Sequence, residues 1–149
     1  MLKGIDPYLN ADVLRVLRAM GHGDELVIAD TNFPADSVAR ATVTGKLLRM
    51  DVDAPRAVRA VLSLMPLDTF VSHAAERMEV VGEPDEIPPV QAEVQAEIDA
   101  AEGKPTPMGS VERYTFYDRA RAAYAVIQTH ERRFYGCFIL KKGVIPPED

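Results

Sequence analysis

A chain of 149 residues with 47% apolar side chains is long enough to bury one core and too short for two ordinary domains. Its 17 basic and 23 acidic side chains give a formal charge of −6, which sets the average surface against nucleic acid and anionic membranes and suits a small neutral ligand. The single cysteine, Cys137, cannot form an internal disulfide, and no apolar run approaches the roughly 18 residues of a membrane span, so a cytoplasmic protein is expected.

In chain order, Asn10 reads as the N-cap of a first helix that carries Val13, Leu14, Val16, Leu17 and Met20 on one face and stops at Gly21. The run Leu26-Val27-Ile28-Ala29 predicts a strand from Glu25 to Asp30, followed by a turn through Phe33 and Pro34 and a short helix near Asp36 to Arg40. Val43, Leu47, Leu48 and Met50 suggest another extended stretch. Pro55 opens a helix bearing Val58, Val61, Leu62 and Leu64 that Pro66 closes, and Met78 to Val81 predicts the next strand. Five prolines between 83 and 107 (Pro84, Pro88, Pro89, Pro105 and Pro107) frame an Ala/Glu/Gln-rich helix from about Val90 to Ala101, read as a peripheral, solvated insertion. Ser110 is expected to cap a helix through Glu112, Phe116, Tyr117, Ala120 and Ala123. Tyr124 to Ile127 and Phe138 to Leu140 read as buried strands joined in a hairpin across Gln128 to Arg133. This alternation implies a single-domain, three-layer α/β/α sandwich around a mainly parallel, mixed sheet.

Residues 20 to 34 bracket one apolar strand with a histidine and a carboxylate. His22 stands between two glycines that allow an imidazole to clear the main chain, and it is either a proton-transfer group or a surface turn histidine. Asp30, where the strand leaves the core, is either a ligand-binding carboxylate or a cap for the helix after Pro34. His73 and His130 have no comparable setting and are expected to be exposed. A metal site built from His22, Asp24 and Asp30 lacks a second well-placed histidine.

Six ordered segments carry a resemblance that spans nearly the whole chain: MLKGI (1–5), MGHGDE (20–25), ADTNFPADS (29–37), PLD (66–68), ERYTFYDRA (112–120) and YGCFILKKGV (135–144). Together they resemble the L-fucose mutarotase and D-ribose pyranase family of sugar-anomer isomerases. The resemblance implies a proton-donor role for His22 and sugar contacts from Asp30, Arg113, Tyr117, Tyr135, Gly136 and Cys137. Arg113, which by residue type alone could equally serve an exposed i, i+4 or cap pairing at a helix start, would in this resemblance hold a ring oxygen or two hydroxyls with its rigid fork, with Glu112 orienting it. Tyr117 fits the core nearly as well as the site. Cys137 departs from the Tyr-Gly-Asn that the family usually carries, because a thiol cannot supply the carbonyl and amide of asparagine. No base or cation stands beside it in sequence to make it a nucleophile.

The implied reaction needs no cofactor, since protonation of the ring oxygen and removal of the anomeric hydroxyl proton open the ring to an aldehyde, which recloses on either face. The pyranase branch carries a further histidine near the place of Glu112 and Arg113, and its absence here favours the fucose-type branch. A non-catalytic sugar-binding module would not need His22. Eight extended residues from His22 to Asp30 would span on the order of 26 Å, so either the strand is short and its loops curl back or two subunits share the pocket. The decamers of two pentamers that the resemblance implies favour sharing, with Tyr135 arriving from a neighbour.

Overall fold

The computed structural model describes residues 1–148. Within them the helices are α1 (Ala11–Ala19), α2 (Ala35–Ala39), α3 (Ala54–Leu62), α4 (Pro89–Glu102) and α5 (Arg113–Arg121). The strands are β1 (Glu25–Ala29), β2 (Leu48–Arg49), β3 (Ala75–Met78), β4 (Gly109–Val111), β5 (Ala125–Gln128) and β6 (Phe138–Lys141), and they form one sheet in the order β2-β5-β1-β6-β3-β4. β6 alone runs against its neighbours β1 and β3; the other pairs are parallel. The sandwich expected from sequence is the architecture found.

Alternation along the central strands divides the core into two layers, because successive side chains of a strand face opposite ways. Leu26 and Ile28 of β1, Ile127 of β5 and Phe138 and Leu140 of β6 point toward α1, α3 and α4. Val27, Ala29, Val126 and Ile139 point toward α2 and α5. Both faces are covered, which is why β1 reads as a continuous apolar run.

α1 begins where Asn10 accepts the amide of Val13 at 3.0 Å. It ends at Met20, one residue before the glycine expected to stop it, and the Lys142 ammonium donates to the carbonyls of Leu17 and Met20 there. α3 starts at the cap Asp53 with proline in its first turn.

Four expectations are corrected. β3 covers residues 75–78 rather than 78–81, because Glu76 and Arg77 sit within the strand, their charges held by Arg119 and Gln91. Ser110 belongs to β4, and the cap of α5 is Glu112, whose carboxylate accepts the amides of Tyr114 and Thr115. β5 and β6 make no hairpin: β1 lies between them and pairs with both. α4 is more than a solvated element, since it lies along α3 with Val90, Gln91, Val94 and Ile98 fully buried.

Candidate active site

Five strands point the same way, so their C-terminal ends share one edge of the sheet, where open α/β folds collect ligands. A cavity of about 210 Å³ opens at that edge, lined by Asp30 and Asn32 after β1, Phe33, Met78 at the end of β3, Arg113 and Tyr117 of α5, and Phe134, Tyr135 and Cys137 before β6. The structure thus brings together Asp30, Arg113, Tyr117, Tyr135 and Cys137, with Gly136 directly behind.

Asp30 is buried, and its Oδ1 accepts the amides of Asn32 (3.0 Å) and Phe33 (2.9 Å). Its Oδ2 accepts the amide of Gly136 at 3.2 Å. Of about four acceptor positions on a carboxylate, three are therefore committed to the backbone, and the protonated Cys137 thiol lies against the same carboxylate. The cap of α2 is Pro34, so Asp30 holds a turn and the 135–137 segment rather than that helix. Gly136 is required by this approach: a Cβ there would stand 2.7 Å from Cγ of Glu131 and 3.4 Å from Cβ of Asp30.

Arg113 is oriented by Tyr117, one helical turn on, whose hydroxyl accepts from Nε at 3.0 Å. Its guanidinium carbon lies 5.5 Å from the ring centroids of both Tyr114 and Tyr117. Glu112, expected to orient it, spends its carboxylate on the helix cap instead. Phe33 packs against Tyr117 at 5.3 Å and supplies an aromatic wall. Tyr135 comes from the same chain as Asp30, which corrects the expectation that it arrives from a neighbour. Burial pushes the Cys137 thiol well up, and the neighbouring Asp30 carboxylate adds to this, so the sulfur stays protonated and is no nucleophile.

His22 is absent from this cavity. β1 runs straight between His22 and Asp30, and its five residues cover roughly 17 Å at about 3.3 Å each. His22 therefore sits at the opposite edge of the sheet, in a turn where Gly23 takes φ +87° and donates its amide to the carbonyl of Lys142. The Asp68 carboxylate meets its Nε2 at 3.0 Å, and the Phe70 ring packs edge-on at 5.4 Å. The imidazole is 43% exposed while Asp68 is buried, so the free face of the ring looks outward. The Phe70 amide, and then His22, hold the Asp68 carboxyl below its ordinary range. Asp68 lay within the PLD segment of the resemblance, yet nothing local marked it as the partner of a histidine 46 residues away. Among the cavity residues, Asn32, Phe33, Met78 and Phe134 were likewise unforeseen. Phe134, 74% exposed beside the cavity, is an aromatic in a polar loop and was the available signal.

His73 is exposed and meets the carbonyl of Pro107, and His130 pairs with Asp51 on the surface. Among the described residues no group of three or more His, Cys, Asp or Glu converges to hold a metal ion, and His22 and Asp30 lie at opposite ends of β1. Among the described residues no helix is long and apolar enough to cross a membrane.

Residues 3–145 match the model of the RbsD / FucU transport protein family. A fucose mutarotase of Danio rerio is 42% identical, over 100% of this chain and 97% of the relative, and an L-fucose mutarotase of Actinobacillus pleuropneumoniae is 39% identical over 98% and 99%. Among solved structures, the fucose mutarotase of Streptococcus pneumoniae in complex with L-fucose is 38% identical, covers 97% of this chain and 100% of its own, and superimposes with a TM-score of 0.86.

Proposed function

Because this chain belongs to the RbsD/FucU family, we propose that it interconverts the α and β anomers of L-fucose or a closely related free pyranose by cofactor-independent acid–base ring opening. The observation that carries the substrate class is the cavity at the C-terminal edge of the sheet. At about 210 Å³ it is smaller than the usual pocket for drug-sized ligands, and it combines a carboxylate, a guanidinium and two tyrosines with aromatic walls. Hydroxyls of a sugar suit Asp30 Oδ2 and the terminal nitrogens of Arg113, and its apolar face suits Tyr135 and Phe33.

The proton donor in this reading is His22, presented with Phe70 to the cavity of a second copy. One chain carries the donor on one edge of the sheet and the cavity on the other, so a head-to-tail contact between copies makes a complete site. A ring of such contacts accords with the decamer of two pentamers implied by the resemblance. Buried, unpaired Cys137 needs no oxidising compartment, which supports the cytoplasm as the place of action.

The deciding experiment is exchange NMR on equilibrated L-fucose, with D-ribose and L-rhamnose in parallel, for the wild type and His22→Ala. Accelerated exchange on L-fucose that falls by about 10²–10⁴-fold in the variant is the expected result. Sugar binding without accelerated exchange in the wild type would leave a binding protein and overturn the catalytic reading.

A further inference from the structure

Tyr135 is the one non-glycine residue among those described with a left-handed backbone, at φ +62°. A residue with a Cβ disfavours that region, so its surroundings must hold it there. The hold comes from α4. Gln91 is fully buried, and its Nε2 donates to the carbonyl of Met78 at 2.7 Å and to the carbonyl of Tyr135 at 3.1 Å. Its Oε1 accepts from Arg77 at 3.2 Å, and Arg77 is itself buried and tied to the carbonyl of Pro84 at 2.8 Å. Both carbonyls gripped by Gln91 belong to residues that line the cavity. The far end of the Tyr135 ring is fixed as well, since its hydroxyl oxygen accepts the amide of Val81 at 3.2 Å.

We propose that Gln91 is a positioning residue for the sugar: from α4 it clamps Tyr135 in its left-handed conformation and so sets the wall of the cavity between Met78 and Asp30. The inference rests on the reading of that cavity as the sugar site. A carboxamide is the side chain this task requires, because one nitrogen supplies two donors while the oxygen serves Arg77. Leucine would take the Nε2 donor from both carbonyls and one acceptor from Arg77, which would keep the carbonyl of Pro84. Glutamate would keep Arg77 but face both carbonyls with an acceptor. Since a sugar leans on this wall before and during ring opening alike, loss of the clamp weakens ground state and transition state together, which raises KM and spares kcat.

The test compares Gln91→Glu and Gln91→Leu with the wild type by exchange NMR on L-fucose, with crystal structures of the same variants. KM is expected to rise about 10-fold with kcat kept within about twofold, and Tyr135 to leave the left-handed region. Glycine holds a positive φ unaided, so in a Tyr135→Gly background Gln91→Glu is expected to change KM by less than about twofold. An unchanged KM in the single variants, or changes that multiply in the double variant, would overturn the clamp. If a Gln91 variant fails to fold, recovery of folding by Tyr135→Gly supports the clamp and no recovery overturns it. A wild type that exchanges no sugar would count against the proposed activity alone, and the Tyr135 conformation in Gln91→Glu would still decide the clamp, a retained left-handed backbone overturning it.

Discussion

Asp68 and His22 form a pair in which the buried partner is the carboxylate and the exposed one the imidazole. Because the Asp68 carboxyl is held below its ordinary value of 3.8 in the folded chain, its contribution to stability is present above the unfolded pKa and is lost as pH falls through the lowered one. Thermal midpoints of the wild type and Asp68→Asn should therefore differ at pH ~5 and converge as pH falls below 3.8. The same substitution lets the imidazole turn, so anomer exchange should slow by about 10-fold with little change in KM. Asp30 calls for a different expectation. Asp30→Ala strips the acceptor from three backbone amides, at on the order of 1–3 kcal/mol for each that stays buried and unpaired. Its loss should show first as a lowered urea midpoint and only then as lost sugar binding, whereas Arg113→Ala, on an exposed helix start, should weaken binding with the midpoint nearly unmoved.

Elements whose pattern is local were legible, and those whose identity depends on partners were not. α1 and α3 announce themselves by cap, apolar period and stop, and β1 by its unbroken apolar run. β3 hides because Glu76 and Arg77 lie within a strand, a placement that becomes affordable only once Arg119 reaches across from α5 and Gln91 from α4. β4 is three residues long, Gly109-Ser110-Val111, too short to show a period. β5 and β6 look like a hairpin in sequence because nothing in either says that a strand from a hundred residues earlier will lie between them. α4 misleads through composition: Ala and Glu dominate its outward face while Val90, Gln91, Val94 and Ile98 carry the inward one. Ile98→Ala should accordingly cost about 2–5 kcal/mol in chemical denaturation, as a large-to-small change in a closed core does, where a merely solvated helix would lose little.

At the scale of the molecule, the separation of His22 from the cavity turns a feature of one chain into a statement about assembly. His22 and Asp30 are eight residues apart in sequence, and β1 between them puts them on opposite edges of the sheet. The proposal that a second copy completes the site is decided by a mixing experiment. His22→Ala keeps the cavity and loses the donor, while Asp30→Asn keeps the donor and damages the cavity. Each should be nearly inactive alone. Dissociated, mixed in equal amounts and reassembled, they should recover about a quarter of wild-type exchange, because in a random head-to-tail ring one contact in four joins an intact cavity to an intact donor. If donor and cavity instead had to come from the same chain, every site in the mixture would carry one defect and no activity would return.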